Sequence, residues 1–195
     1  MSDLNIHMDE ITFRETAAYL KERFSDDNYI QNITGFASLP IDYLAPFNAS
    51  NLNDKSLDVI VSNTVLEHIP RSDIYNLFSS LRPKIADNGK MVHLVDHSDH
   101  FEHYDKSISR INFLTWSEER HALINYLIKD GENRMRHHEY HQLFMDSGYD
   151  VVNEETDLNK KTLEIVETFN LVYPYSKMRP EQLAVLTSIY SLKTA

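Results

Sequence analysis

The sequence predicts an α/β domain with a partly parallel sheet, and three adjoining segments carry that prediction. Leu57 to Ser62 is a nearly continuous apolar run rich in β-branched residues, the pattern of a strand covered on both faces. From Ser72 to Ile85 apolar residues recur at helical spacing, and Asn88-Gly89 is a typical helix stop. Lys90 to Asp96 is again a mostly apolar strand. Strand, helix and strand with short connections predict a βαβ unit with parallel strands.

Composition limits the class of protein. The 195 residues contain no segment of linker composition, so we expect a single domain over residues 1–195. The formal net charge is -11, and the scattered basic residues form no patch for nucleic acid. The chain has no cysteine, no signal-peptide pattern at its start and no apolar run that would span a membrane. We therefore expect a soluble, cytoplasmic protein.

Two elements are predicted before the first apolar run. From Asp9 to Phe24 apolar residues recur at helical spacing, and Thr12 with Glu15 has the spacing of a capping box. Ile41 to Ala45 is a short strand candidate that ends at Pro46. A helix and a strand are therefore expected ahead of the βαβ unit.

The second half of the chain alternates helical patterns with two further strands. Glycine marks the end of two helices, and proline fits the first turn of a third. The predicted elements are a helix over Ser117 to Lys129 closed by Gly131, a helix over Arg136 to Ser147 closed by Gly148, a strand over Tyr149 to Asn153, a helix over Thr162 to Asn170, a helix starting near Pro180 and a strand over Ser188 to Lys193.

The order of these elements and their residues resemble a known family. Asp58 to Pro70 reads DVIVSNTVLEHIP, and Leu81 to Asp96 reads LRPKIADNGKMVHLVD. Together they resemble the fourth strand, its helix and the fifth strand of class I S-adenosylmethionine-dependent methyltransferases. The resemblance implies a Rossmann-like methyltransferase fold, a mixed sheet with flanking helices. It also implies S-adenosylmethionine as cofactor and a small-molecule methyl acceptor.

One departure from that family is large. The family's first strand and Gly-x-Gly-x-Gly loop are missing, since the four glycines are widely separated and none precedes Gly35. The resemblance thus covers the C-terminal two-thirds of the fold, truncated at the N-terminus. The chain is then a piece of a longer enzyme, receives the missing strands from a partner, or has moved the Ile41 strand beside Leu57 to Ser62. An exposed sheet edge that invites a partner or self-association is expected.

The resemblance places four residues at the cofactor. Asn63 and Thr64 follow the fourth strand, where the carboxyl end of a strand meets the ligand crevice. Asn48 and Ala49 follow the match to the third strand, Tyr43 to Ala49, with Asn48 standing where the family has an acid beside the adenine. The alternatives are a polar helix cap at Asn63 and Thr64 and an ordinary loop asparagine at Asn48.

Three residues are candidates for catalysis. Residues after the fifth strand, chiefly Asp96 to His103, are expected to line the acceptor side, and Asp96 and His97 are the catalytic candidates among them. His68, next to Glu67, is a candidate base because its ordinary pKa lies near neutral pH. The alternative for Glu67-His68 is a structural pair that packs the start of a helix.

Two other function classes remain open at this stage. His97, His100 and His103 share three-residue spacing, which on a helix would suit zinc or a related metal, although a solvated loop is the favoured interpretation and no metal is assigned. A non-catalytic binding or scaffolding module that pairs through its sheet edge is the other alternative. Arg134 and Arg136 begin a basic run that would receive an anion or form a solvated helix face.

Overall fold

The computed structural model describes residues 47–128 and 132–195. The chain divides into two compact units, Met1–Asn48 and Ala49–Ala195, and the elements below belong to the second. The predicted helix Asp9 to Phe24, the strand Ile41 to Ala45 and the helix stop at Gly131 lie outside the described residues. The expectation of a single domain over residues 1–195 stays a prediction.

The second unit contains a four-stranded mixed sheet. Its strands are β1 Leu57–Asn63, β2 Ile85–Asp96, β3 Tyr149–Leu158 and β4 Val185–Thr194, in the spatial order β1-β2-β4-β3. β1 and β2 are parallel, whereas β4 is antiparallel to both β2 and β3. The mixed sheet with flanking helices and the predicted βαβ unit are confirmed.

Six α-helices occur among residues 47–128 and 132–195. They are α1 Arg71–Leu81, α2 Phe101–Tyr104, α3 Glu118–Ile128, α4 His137–Asp146, α5 Lys160–Ile165 and α6 Pro180–Ala184. Gly148 follows α4 with a φ of 85°, as the predicted glycine stop requires. The predicted helix from Thr162 begins earlier and ends sooner, since Val166–Thr168 is a 3-10 turn. No helix of this part of the chain is long and apolar enough to cross a bilayer.

The end of α1 differs from the prediction. The helix stops at Leu81 and passes through a 3-10 turn, Arg82–Lys84, because Pro83 has no N–H to continue the helix. Ile85 already pairs with Leu57 in the sheet. The predicted stop at Asn88-Gly89 is wrong, since both residues lie inside β2.

Gly89 belongs instead to a bulge in β2. The register passes from Leu57 opposite Ile85 to Val59 opposite Lys90, so two steps along β1 match five along β2. A Cβ at Gly89 would collide with the Ile85 side chain and lie 2.9 Å from the Leu57 carbonyl oxygen. The bulge therefore explains why a glycine is needed at this position.

The two faces of the sheet differ in burial. On one face Met91, His93 and Val95 are buried beneath the helices. On the other face Val59 and Val61 of β1 are 63 % and 68 % exposed. The expectation that this strand is covered on both faces is wrong for these two side chains, because continuous hydrophobicity does not show whether a second layer packs there.

The core beneath the covered face is centred on aromatic side chains. Phe78 of α1 contacts the rings of His93, Phe144 and Tyr149, with centroid distances of 5.1, 4.9 and 5.7 Å. The Tyr149 hydroxyl donates a hydrogen bond to the Phe78 carbonyl oxygen at 2.8 Å. These contacts pack α1 and α4 against β2 and β3.

His93 makes this core sensitive to acid. Burial lowers the pKa of its imidazole to about 4, from an ordinary 6.5, and its Nδ1 lies 2.8 Å from the Ser62 hydroxyl oxygen. The unfolded chain therefore takes up a proton near pH 6.5, whereas the folded chain resists until about pH 4. Stability present above pH 6.5 is lost as the pH falls through this window.

We expect the free energy of unfolding to fall by up to about 3 kcal/mol between pH 6.5 and 4 because of His93. Urea unfolding at several pH values measures it, with His93→Leu for comparison. The variant should lose less stability than the wild type over this range. An unchanged pH dependence in the variant would contradict the assignment.

Candidate active-site cleft

A cleft of about 610 Å³ opens at the carboxyl ends of the parallel strands β1 and β2. The Thr64 N–H donates to the Leu94 carbonyl oxygen at 3.0 Å, so the chain after β1 stays against β2. Polar side chains dominate the lining, with apolar contributions from Phe101, Tyr104 and Ile128. The polar lining residues are Thr64, Glu67, His68, Asp96, His100 and His103.

Thr64 turns the chain away from the sheet in an unusual conformation. Its φ is 51°, in the left-handed region that β-branched residues rarely adopt. The Thr64 hydroxyl donates to the Asn63 carbonyl oxygen at 2.8 Å. Strained backbone at the end of a strand and on the wall of a cleft is a common property of functional sites.

Glu67 is a buried carboxylate at the floor of this region. The residue is only 1 % exposed and lies in a 3-10 turn, Leu66–His68. Its Oε1 accepts a hydrogen bond from the Asp96 N–H at 3.3 Å, while Oε2 has no donor among the described residues. Burial raises the pKa of Glu67, against the opposing effect of hydrogen bonds from backbone groups.

Three imidazoles lie side by side in the cleft. The ring centroids of His68 and His100 are 5.0 Å apart, and those of His100 and His103 are 5.2 Å apart. Carboxylates flank them, since His103 Nε2 is 3.8 Å from Asp96 Oδ2 and His100 Nε2 is 3.9 Å from Glu132 Oε1. The cleft thus concentrates groups that bind cations or exchange protons.

Asn133 holds the Glu67-His68 turn in place. Its backbone N–H donates to the Glu67 carbonyl oxygen at 2.6 Å. Its side-chain amide donates to the carbonyl oxygens of Leu66 at 2.9 Å and Ile69 at 2.8 Å. The sequence analysis missed this residue, because nothing in the local pattern shows that a loop 67 residues away meets the turn.

Asp99 lies in the Asp96 to His103 segment that was expected at the acceptor side, but its role is structural. Its carboxylate accepts hydrogen bonds from the backbone N–H groups of Phe101 at 2.9 Å and Phe113 at 2.8 Å. The residue is fully buried, so it positions the segment that carries His100 and His103 instead of meeting a ligand. An aspartate two residues before a helical turn was the available signal.

The structure separates the four predicted cofactor residues. Thr64 lines the cleft, and Asn63, the exposed last residue of β1, stands beside it but does not line it. Ala49 is 5 % exposed and packs in the core cluster with Leu66. Asn48 is exposed and belongs to the first compact unit.

The predicted catalytic residues are also separated. Asp96 and His68 both line the cleft. His97 is only 3 % exposed, with Nδ1 3.1 Å from the Met135 carbonyl oxygen and Nε2 3.0 Å from the Ser188 hydroxyl oxygen. Burial, together with the nearby Arg136 charge, holds the pKa of His97 well below its ordinary value.

The histidine trio proposed for metal binding is therefore not assembled. His97 points into the core, whereas His100 and His103 face the cleft. The helix that was to align the three has a single turn, Phe101–Tyr104, and begins after His100. Equal spacing in sequence does not place side chains on one face where the backbone is not helical.

The basic run before α4 is buried. Arg134 donates to the carbonyl oxygens of Phe113 at 3.0 Å and Trp116 at 2.6 Å, and it pairs with Glu118. Arg136 has no exposed surface. Neither an anion site nor a solvated face describes these two arginines, because their guanidinium groups serve buried carbonyl oxygens.

Comparison with known proteins gives structural similarities alone. No family model matches the chain, and no curated protein matches it. Geranyl diphosphate C-methyltransferase from Streptomyces coelicolor A3(2) is 13 % identical, with a TM-score of 0.42 over 74 % of this chain and 49 % of that one. A S-adenosylmethionine-dependent methyltransferase from Leishmania major is 16 % identical, with a TM-score of 0.45 over 82 % and 48 %.

Mitomycin 7-O-methyltransferase is a third such similarity, at 11 % identity and a TM-score of 0.44 over 85 % of this chain and 38 % of that one. All three are methyltransferases, the family that the sequence resembles. The chain spans about half the length of the first solved structures it matches. Likenesses of this degree do not determine an activity, so the functional proposal rests on the residues of the chain itself.

Thr64→Gly should raise the free energy of unfolding by about 1 kcal/mol, because glycine adopts a positive φ without the clash of a Cβ. Urea unfolding measures the change. Thr115→Gly is the control, since Thr115 lies in a 3-10 turn, bonds to the Asn112 carbonyl oxygen at 2.7 Å and should lose stability. A less stable Thr64→Gly protein would show that the threonine is not strained.

Proposed function

We propose that this chain is an S-adenosylmethionine-dependent methyltransferase acting on a small molecule, or a fragment of one. The observation that carries the proposal is Thr64, a strained residue at the carboxyl end of a parallel strand and on the wall of a polar cleft. The resemblance of Asp58 to Pro70 and of Leu81 to Asp96 to the methyltransferase family supports it. Ligands of open α/β sheets bind at this edge.

The carboxyl end of β1 and the carboxyl end of β2 have different roles in the proposed reaction. Thr64, on the wall of the cleft at the end of β1, contacts the cofactor, and the exposed Asn63 beside it reaches the bound cofactor from the rim of the cleft. Asp96, at the end of β2, faces the acceptor, and its Oδ1 accepts a hydrogen bond from the Ser98 N–H at 2.8 Å. His68 lies on the same cleft and acts as the base. The core residue His97 is no longer a candidate for contact with substrate.

The reaction is an in-line displacement. A lone pair on the acceptor attacks the methyl carbon, the bond from that carbon to the sulfonium sulfur breaks, and S-adenosylhomocysteine leaves. The acceptor loses one proton, which His68 receives. Alignment of acceptor and donor in a small cleft supplies much of the rate enhancement in such reactions.

Titration calorimetry of the full chain with S-adenosylhomocysteine tests the proposal. We expect saturable binding and an Asn63→Ala variant that binds about 10-fold more weakly, as the loss of one hydrogen bond predicts. Asn153→Ala is the matched control, because Asn153 is an exposed asparagine of β3 outside the cleft. Its affinity should equal that of the wild type.

Two outcomes would count against the proposal. One is the absence of both binding heat and a rise in melting temperature at about 1 mM ligand, a concentration that detects even weak cofactor sites. The other is an equal loss of affinity in the two asparagine variants, which would place the ligand elsewhere.

A second candidate function is a non-catalytic module that associates with a second copy of the chain. It is favoured by β1, the outermost strand among the described residues, whose Val59 and Val61 are 63 % and 68 % exposed. Exposed apolar strands at a sheet edge pair readily with one another. Light scattering after gel filtration should show a dimer that Val61→Lys converts to monomer, and a monomeric wild type would exclude this function.

A further inference from the structure

We propose that Glu67, His68 and His100 bind a divalent transition-metal ion in the cleft. Each side chain offers one ligand atom, and the three atoms lie within 4.8 Å of one another. Two of the ligands come from one 3-10 turn and the third from the segment after β2. The site stands on these side chains and does not rest on the methyl-transfer proposal. His68 serves as the base of that reaction only in the metal-free chain, because an imidazole bound to a metal has no nitrogen left to accept a proton.

The buried carboxylate points independently to a cation. Glu67 is 1 % exposed, and its Oε2 has no hydrogen-bond donor within the described ranges 47–128 and 132–195. A buried carboxylate oxygen is costly unless it is hydrogen-bonded, paired or bound to a metal. A cation shared with the two imidazoles supplies the missing partner.

The surrounding structure holds the ligands in position. Glu67 Oε1 is fixed by the Asp96 N–H at 3.3 Å, so Oε2 is the oxygen left to bind. Asn133 fixes the turn that carries Glu67 and His68 through hydrogen bonds to the carbonyl oxygens of Leu66, at 2.9 Å, and of Glu67, at 2.6 Å. Such supporting hydrogen bonds are typical of metal ligands.

The donor set selects the class of metal. Two imidazole nitrogens and one carboxylate oxygen suit zinc, iron(II), cobalt(II) or manganese(II), whereas magnesium and calcium prefer oxygen ligands alone. Zinc bonds of about 2.1 Å require the three donor atoms to move closer together, which rotation of the His68 and His100 side chains achieves.

The open position of the metal faces the cleft. Three protein ligands leave at least one coordination position for another group. The cleft of about 610 Å³ lies beside the ligands, so a small molecule reaches that position. A ligand with a hydroxyl or carboxylate oxygen would bind there, because hard oxygen donors complete such sites.

Metal binding to the full chain tests this site without any cofactor. Protein freed of metal with a chelator is titrated with zinc by calorimetry and with cobalt(II) by visible absorption. We expect one ion per chain, and His100→Ala should weaken zinc binding by more than about 100-fold, beyond the effect of losing an outer hydrogen bond. It should also change the cobalt spectrum.

His141→Ala is the matched control, because His141 is a histidine of α4 whose Nδ1 lies 2.6 Å from Glu154 Oε2 and which does not line the cleft. Its zinc affinity and cobalt spectrum should match the wild type. Glu67→Gln, which preserves the side-chain shape, replaces His100→Ala if that variant does not fold. No binding of zinc or cobalt by the wild type, or equal affinity in the wild type and the ligand variant, would overturn the proposal.

Discussion

The buried guanidinium of Arg136 is the interaction on which the rest of this fold depends. One of its nitrogens donates to the His97 carbonyl oxygen at 2.6 Å, and another to those of Leu183 at 2.9 Å and Val185 at 2.7 Å. These carbonyls belong to the chain after β2 and to the junction of α6 with β4. Burial lowers the pKa of Arg136 to about 10, and the cation still keeps its proton at neutral pH. One charged group therefore accounts for hydrogen bonds to three carbonyl oxygens from two segments of the chain.

That arrangement determines where the cleft forms. Two contacts hold the end of β2 against β4. One is the Arg136 guanidinium, and the other is the hydrogen bond from the His97 N–H to the Leu186 carbonyl oxygen at 2.8 Å. The segment that follows β2 is therefore directed away from the sheet. Asp99 then turns this segment through its two backbone hydrogen bonds, and His100 emerges opposite the Glu67-His68 turn. The cleft is thus built mainly from two segments distant in sequence, and each is held by a polar side chain, Asn133 for the Glu67-His68 turn and Asp99 for the segment after β2.

Local patterns predicted most of the regular elements, although not all their ends, and did not predict the positions of polar side chains. The strands, their parallel pairing and α4 with its glycine stop follow from hydrophobic period and capping residues, which act over a few positions. The bulge at Gly89, the burial of Arg136 and the inward orientation of His97 depend on what another segment places nearby. Of the candidate site, Thr64, His68 and Asp96 were predicted from strand ends, whereas the partnership of Glu67 with His100 arises only when the turn and the loop meet. The exposure of Val59 was not predicted for the same reason, because the sequence of a strand does not show whether a second layer of structure covers it.

Two costly features lie close together at one edge of the sheet. Thr64 holds a left-handed backbone and, three residues later, Glu67 holds a buried carboxylate with an unpartnered oxygen. Elsewhere aromatic rings pack around Phe78 and buried arginines bond to carbonyl oxygens, although His93 Nε2 and Arg136 Nε also lack a hydrogen-bond partner among the described residues. A chain selected for stability alone would remove both features with single substitutions, glycine at 64 and glutamine or an apolar residue at 67. Backbone strain and an unpartnered carboxylate oxygen three residues apart at the carboxyl edge of two parallel strands favour a ligand site there, because a bound cation would give the Glu67 oxygen its partner.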